Sequence, residues 1–191
     1  MFCRVSEHSR FKLNCISGST SLEFAKKNLI ASLLIEKLLI TIREIAKGDI
    51  WFIPRESIVK PNRNQSGYEP DIIILNQETI GTQTRWKSES VIQNASSVKL
   101  IVEIVGSNWR DDYYNKFGDY EEMGIPEYWI VDYAELGGRD FIGNPKQPAF
   151  FVCELVDGEY VKKLFRGGDV IVSPTFPKLN LTAQQIFDLA L

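Results

Sequence analysis

The sequence predicts an α/β domain built around a strand–helix–strand crossover, with a long helix before it and a β-hairpin after it. Two apolar runs of strand length, residues 98–105 and 128–131, enclose a helical pattern at 111–123, and this order is typical of a βαβ unit. The hairpin is predicted from residues 150–165, FFVCELVDGEYVKKLF, which turn at Asp157-Gly158. Together, the three patterns place the chain in the α/β class.

Residues 21 to about 47 are predicted to form one long amphipathic helix. Its buried stripe is predicted from four apolar residues at helical spacing, namely Leu22, Ala25, Leu29 and Leu33. Thr20 and Glu23 have the spacing of a capping box, which predicts where the helix begins, and Gly48-Asp49 is expected to end it.

The middle of the chain contains the predicted strands. A short strand is expected at residues 50–53, and a polar loop, KPNRNQSGYEP, leads from it to the apolar run at 71–75. Residues 76–97 carry no pattern that assigns them to a helix or a strand. The run VKLIVEIV at 98–105 is almost continuously apolar, which is typical of a strand covered on both faces.

The remaining elements follow from turn and cap residues. The helix at 111–123 is expected to stop at Gly124, and the next buried strand ends at Asp132. Thr182 and Gln185 predict a capped terminal helix. Since no repeat or linker divides the 191 residues, we expect one domain over 1–191, with 1–18 as a peripheral N-terminal segment.

The composition excludes several kinds of protein. The longest apolar stretch, residues 29–42, is interrupted by Glu36 and Lys37, so we expect neither a secretory signal nor a membrane span and predict a cytoplasmic protein. Three cysteines without a C-x-x-C pair disfavour a disulfide framework or a zinc site. The single histidine, His8, excludes histidine-based triads, so hydrolytic chemistry would depend on carboxylates and lysines.

The charge of the chain is distributed unevenly. Residues 1–69 carry 11 Lys and Arg against 7 Asp and Glu, whereas residues 70–191 carry 11 against 18. A basic part that could meet phosphates beside an acidic part that could hold metal suits a metal-dependent phosphodiesterase. Many unrelated proteins are equally uneven, so the class is not decided by the charge distribution alone.

Glu103 interrupts the apolar run of its strand, and Asp71 stands at the head of another. A buried carboxylate costs several kcal/mol unless it is paired, protonated or bound to metal. If the two strands are neighbours, both carboxylates can offer oxygens to a hard cation such as Mg²⁺. The competing interpretation makes Asp71 a turn residue and pairs Glu103 with a backbone amide or with a cation such as Arg85 or Arg110.

Asp112, Lys116 and Tyr120 are spaced four apart on the predicted helix that follows Glu103, so they share one face. The simplest interpretation is an i,i+4 ion pair worth about 0.3 to 0.5 kcal/mol beside a packed tyrosine. Spacing by itself does not distinguish this interpretation from a functional one.

Several of these patterns in combination resemble a known family. Asp71 in PD, Glu103 in VEIV, the Asp112, Lys116 and Tyr120 spacing and the segment GIPEYWIVD resemble the Uma-two-type restriction endonucleases of the PD-(D/E)XK superfamily. The resemblance runs from about Ser19 to the C-terminal segment SPTFPKLNLTAQQIF. GIPEYWIVD with the preceding spacing is its most specific part.

The resemblance implies a restriction-endonuclease-like core, in which a mixed central β-sheet is flanked by helices. It also implies an active site where Asp71 and Glu103 bind Mg²⁺, with Mn²⁺ able to substitute. In the parent motif the lysine lies two residues after the glutamate, where this chain has Val105, and the family's migrated lysine maps onto Lys116. Asp112 and Tyr120 would support the site.

Two further residues compete for roles in this site. Lys99 lies four residues before Glu103 on the same strand face, but a rise of about 3.3 Å per residue puts it roughly 13 Å away, which favours Lys116. Glu23 matches the helix-borne acid that completes many sites of the superfamily, although its capping role with Thr20 is equally consistent with the sequence.

The resemblance implies an endonuclease that hydrolyses nucleic-acid phosphodiester bonds, with DNA as the expected substrate and a homodimer expected by analogy. The chain departs from the family at Phe24, where members often carry histidine, and at Gly106, where serine is usual. The alternative is a catalytically impaired module on the same fold that binds nucleic acid or another protein.

Overall fold

A computed structural model of the protein describes residues 21–45, 51–63 and 66–190. Its strands, in chain order, are β1 (Trp51–Phe52), β2 (Ile58–Val59), β3 (Ile72–Asn76), β4 (Val91–Ile92), β5 (Val98–Ile104), β6 (Glu127–Asp132), β7 (Ala149–Val156) and β8 (Glu159–Phe165). Six of them form one sheet in the spatial order β1-β3-β5-β6-β7-β8, and β2 pairs with β4 in a small parallel ribbon.

The helices are α1 (Ser21–Ile45), α2 (Trp86–Glu89), α3 (Lys116–Met123), α4 (Arg139–Ile142) and α5 (Ala183–Phe187). A π-helical turn, Asp111–Asn115, leads directly into α3. The stretch that the sequence left unassigned contains α2, β4 and 3₁₀ turns at Ile80–Thr82 and Ala95–Ser97. None of the helices within the described ranges combines the length and the apolar character needed to cross a membrane.

The central sheet is mixed, as the family resemblance implied. β5 and β6 run parallel, with Glu103 opposite Ile130, and every other neighbouring pair in this sheet is antiparallel. The crossover from β5 through α3 to β6 confirms the predicted βαβ unit. The predicted hairpin of β7 and β8 is also present, and Asp157 and Gly158 both have the positive φ angles, 52° and 89°, that its tight turn requires.

Apolar side chains fill both faces of the sheet, because successive residues of a strand point to opposite sides. One layer contains Trp129 and Val131 of β6 packed with buried residues of α1 and α5. The other contains Tyr128 and Ile130 of the same strand, packed with the side of α3 that carries Tyr120. Burial on both faces explains why β5 and β6 read as continuous apolar runs.

The apolar stripe predicted for α1 is wrong except at Leu33, which is half-buried and packs against the core. Leu22 and Leu29 are 64% and 55% exposed, whereas Ile30, Leu34 and Leu38 are fully buried against the sheet. Both sets have helical spacing, because α1 carries apolar side chains around more than one side. The sequence pattern therefore located the helix but did not decide which side faces the core.

The ends of the helices agree with the predictions wherever they can be compared. Gly124 follows α3 with a φ of 78°, and Thr182 forms a capping box with Gln185 at α5. The predicted partner of Glu23, Thr20, and the predicted stop of α1 at Gly48-Asp49 lie outside the described residues, as do His8 and the segment 1–18.

Candidate active site

Asp71 and Glu103 lie at the same end of the sheet because β3 and β5 are antiparallel neighbours. Their register pairs Ile72 with Val102, so Asp71 and Glu103 are the next facing positions. The backbone N–H of Ile104 donates a hydrogen bond of 2.7 Å to Asp71 Oδ2, which holds this carboxylate against β5. The tertiary structure thus brings together the two carboxylates that the sequence singled out.

Glu103 is almost completely buried and both of its oxygens have partners. Its side chain is 2% exposed, Lys116 Nζ lies 2.8 Å from Oε2, and the Tyr120 hydroxyl donates a hydrogen bond of 2.9 Å to Oε1. The interpretation that paired Glu103 with an arginine is wrong, since Arg85 pairs with Glu89 and Arg110 lies over the ring of Trp109. The cation beside Glu103 is Lys116.

Lys116 bridges two carboxylates at the point where the π-helical turn passes into α3. Its Nζ lies 2.8 Å from Asp112 Oδ1 as well as from Glu103 Oε2. Asp112 is itself buried, and its backbone carbonyl accepts a hydrogen bond of 3.0 Å from the Tyr128 hydroxyl. This network fixes the lysine head group toward the sheet, so the four-residue spacing does join Asp112, Lys116 and Tyr120 around Glu103.

Lys99, the competing lysine, points elsewhere. Its Nζ lies 5.1 Å from the centroid of the Trp51 ring, on the neighbouring part of the sheet toward β1. This position agrees with the separation along β5 that favoured Lys116.

Burial and charge oppose each other in this cluster. Burial raises the pKa of Glu103 to about 7, and the charges of Asp71 and Asp112 add to the increase while Lys116 counteracts it. Burial lowers the pKa of the Lys116 ammonium, but the carboxylates of Glu103 and Asp112 raise it by more, leaving it well above its ordinary value. Lys116 therefore remains a cation at neutral pH, and it cannot act as a general base there.

Helix α1 reaches the same end of the sheet from the opposite face. Lys27 Nζ lies 3.2 Å from Asp71 Oδ2, and Glu23 Oε1 accepts a hydrogen bond of 2.9 Å from the backbone N–H of Ser107. Gly106 permits this approach, because a Cβ there would lie only 3.1 Å from Glu23 Oε1. Glu23 thus lies beside the loop that follows β5, within the same region as the two strand carboxylates.

Two residues near the site were not anticipated. Lys27 is four residues from Glu23, and this i,i+4 spacing was the available signal for a shared helix face. Tyr68 comes from a loop with no regular pattern; its hydroxyl donates a hydrogen bond of 2.5 Å to Asp119, and Lys116 Nζ lies 6.0 Å from its ring centroid. No sequence signal could have placed Tyr68.

The oxygen donors at this position suit Mg²⁺. No three Asp, Glu, His or Cys side chains of the described residues form a metal-binding group, but Mg²⁺ commonly uses one or two carboxylates and completes its shell with waters and substrate oxygens. Burial is the main cause of the raised pKa of Glu103, and the negative charge of Asp71 adds to it, so a divalent cation bound by both carboxylates would favour the charged form of Glu103. Asp71 and Glu103 therefore fit such an ion chemically.

A mixed sheet with helices on both faces and facing carboxylates at the end of two adjacent strands defines a restriction-endonuclease-like domain. The chain belongs to the Uma2 family, described as "Putative restriction endonuclease", whose model matches residues 8–184. The predicted family membership and fold class are thereby confirmed.

One solved structure similar to this chain is the crystal structure of a protein from Anabaena variabilis ATCC 29413, described as "a putative nuclease belonging to DUF820". The TM-score is 0.58 at 15% sequence identity, and the match covers 87% of this chain and 82% of that chain. At this identity the likeness concerns the fold alone. A comparison with curated proteins found no match.

We expect the stability of the metal-free protein to fall with rising pH more steeply in the wild type than in a Glu103→Gln variant. The folded-state pKa of Glu103, about 7, lies above its ordinary value of 4.5, so the folded protein binds this proton more tightly than the unfolded chain. The resulting stability is complete below pH 4.5 and is lost as the pH rises through 7. Glutamine does not titrate, so the stability of the Glu103→Gln variant lacks this dependence on pH.

The measurement is the free energy of unfolding in urea with EDTA, at intervals from about pH 4 to about pH 8, for both proteins. The free energy of unfolding of the wild type, minus that of the Glu103→Gln variant, should decrease from about pH 4 to about pH 8. Curves that stay parallel would contradict the expectation.

Proposed function

We propose that this protein is a metal-dependent endonuclease that hydrolyses phosphodiester bonds, with DNA as its substrate. The observation that carries the proposal is the position of the buried Glu103. Its Oε2 lies 2.8 Å from Lys116 Nζ, and Asp71 lies opposite it, directly before the neighbouring strand β3. A core glutamate with a purely structural role does not require a second carboxylate beside it. Membership of a restriction-endonuclease family supports the same assignment.

Asp71 and Glu103 are the residues that would hold Mg²⁺ or Mn²⁺. When bound, the ion would neutralise phosphate charge and lower the pKa of a coordinated water. The chain's contribution is to keep both carboxylates in place: the Ile104 N–H and Lys27 hold Asp71, and the Tyr120 hydroxyl holds Glu103. Side chains fixed in this way need little rearrangement when substrate arrives.

Lys116 supplies positive charge where the scissile phosphate would approach. As a permanent cation, it can donate hydrogen bonds to the attacking water and to a phosphate oxygen as negative charge develops there. Asp112 acts through Lys116 and is a positioning residue, because its carboxylate contacts the ammonium at 2.8 Å. Glu23 positions the loop after β5 through the Ser107 N–H, or it supplies a further acid at the site.

The test is nicking of supercoiled plasmid DNA in Mg²⁺ and in Mn²⁺ by the wild type and a Lys116→Met variant. Loss of the charge should reduce the rate on the order of 10²-fold, the usual effect of removing a donor that stabilises the transition state. Lys163→Met is the matched control, because Lys163 is half exposed and contacts Glu154 on β7, away from the site. Equal rates for all three proteins would refute the assigned role of Lys116.

The alternative, a binding module without turnover, is favoured by one observation. The described residues offer two carboxylates rather than a larger group, and Lys116 already neutralises one of them. Such a module should bind oligonucleotides but show no heat of Mg²⁺ binding that depends on Glu103. Titration calorimetry of the wild type against Glu103→Gln distinguishes the two proposals.

A further inference from the structure

A cluster of aromatic side chains lies on the outer side of the π-helical turn. It consists of Trp109, Tyr114 and Phe141, and we call it the aromatic platform. The ring centroids of Trp109 and Tyr114 are 6.2 Å apart, and those of Tyr114 and Phe141 are 5.2 Å apart. Tyr114 is 54% exposed, an unusual placement for a ring that already packs against two others.

Positive charge flanks the aromatic platform on two sides. The guanidinium carbon of the exposed Arg110 lies 4.5 Å from the centroid of the Trp109 ring. Lys162 Nζ, from β8, lies 5.5 Å from the centroid of Phe141. Cations beside aromatic faces form a surface that complements a ligand with flat rings and negative charge.

The aromatic platform is held in place by hydrogen bonds of Asp111 and by close packing on Gly138. Asp111 accepts hydrogen bonds from the side chains of Asn108 and Asn115, which fixes the turn on both sides of Trp109 and Tyr114. Gly138 allows the indole to lie directly over the chain, since a Cβ there would come within 3.0 Å of Trp109 Cη2. The exposed Tyr114 ring and the half-buried Trp109 and Phe141 rings are therefore set in a defined geometry rather than on a free loop.

The π-helical turn carries Tyr114 of the aromatic platform as well as Asp112 of the candidate site. Asp112 is buried beside Lys116, whereas Tyr114 points outward from the next part of the turn. The side of the turn that carries Asp112 and the side that carries Tyr114 are separated by on the order of one helix diameter, about 10 Å. A nucleic-acid strand whose phosphate lies near Lys116 could therefore place a neighbouring nucleotide against the platform.

We propose that the aromatic platform stacks an unpaired base of the substrate, so that the protein acts on single-stranded or locally unpaired nucleic acid. This inference rests on the proposed nuclease function, which it extends to the substrate class. Bases inside a duplex are covered by their neighbours, whereas unpaired bases stack on exposed aromatic rings and on arginine. Arg110 and Lys162 would meet the adjoining phosphates.

The test measures binding without catalysis, in EDTA, by fluorescence anisotropy of labelled single-stranded oligothymidine and of a duplex of equal length. Tyr114→Ala should weaken binding of the single strand by about fivefold to a hundredfold, the usual effect of losing one stacked base. Arg110→Ala should also weaken it, and because a phosphate contact is lost, the dependence of binding on salt concentration should become less steep. Tyr114→Phe retains the ring and should bind within about twofold of the wild type. The matched control for Arg110 is Arg43→Ala, an exposed arginine at the far end of α1.

The inference is overturned if the wild type does not bind the single strand, if Tyr114→Ala and Arg110→Ala bind like Arg43→Ala, or if the duplex is bound as tightly as the single strand. Failure of the nuclease proposal gives a different result. In that case plasmid and oligonucleotide remain uncut in Mg²⁺ and Mn²⁺, while the anisotropy pattern of the platform variants persists.

Discussion

Replacing Glu103 with glutamine is expected to abolish both metal binding and cleavage. The change keeps the size of the side chain but removes the charge that would coordinate the ion, and metal assistance is worth several kcal/mol, or more than about 10²-fold in rate. Tyr120 can still donate its hydrogen bond to the side-chain carbonyl. The protein should therefore fold, with Lys116 retaining Asp112 as its counter-ion.

The readouts are the heat of Mn²⁺ binding and the rate of plasmid nicking, together with a thermal melt to verify folding. Glu154→Gln is the matched control, since it removes a carboxylate from a half-exposed ion pair with Lys163. We expect this control to cut at the wild-type rate. A Glu103→Gln protein that binds Mn²⁺ and cuts as well as the control would eliminate Glu103 as a metal ligand.

Replacing Glu127 with alanine is expected to have the largest effect on stability. Glu127 is 1% exposed, and its carboxylate accepts hydrogen bonds from Trp129 Nε1, Ser173 Oγ and the backbone N–H of Thr175, at 2.5, 2.7 and 2.9 Å. Truncation leaves these donors without their acceptor in or beside the core. The free energy of unfolding should fall by about 3 kcal/mol or more.

Urea unfolding of Glu127→Ala, Glu127→Gln and Glu159→Ala measures this effect. Glutamine keeps one acceptor oxygen and should give an intermediate loss, whereas Glu159 is exposed at the hairpin and should change stability by less than about 0.5 kcal/mol. A Glu127→Ala protein as stable as the Glu159→Ala protein would show that the hydrogen bonds contribute little.

The two buried glutamates illustrate how similar residues acquire different roles. Glu103 lies beside a lysine and faces a second carboxylate, whereas Glu127 is enclosed by three neutral donors at the start of β6. The sequence drew attention to Glu103 because it interrupts an apolar run. Glu127 lies within the recognised segment GIPEYWIVD but gave no sign of its role, since two of its three hydrogen-bond donors, Ser173 and Thr175, are far from it in the chain.

Local patterns were sufficient for much of the fold. The apolar runs of β3, β5 and β6, the turn at Asp157-Gly158 and the cap at Thr182 all depend on residues near one another in the chain. The spacing of Asp112, Lys116 and Tyr120 also predicted a shared face, and these side chains do meet around Glu103.

The sequence by itself thus determined the long helix α1, the central strands, the crossover helix and the hairpin, and which carboxylate is out of place in an apolar strand. Only the tertiary structure decided that β3 lies beside β5, which brings Asp71 to Glu103, and that α1 turns Ile30 rather than Leu29 inward and places Lys27 on Asp71. The physical reason is that periodicity reports local geometry. Which faces and strand ends meet depends on packing between elements far apart in the chain.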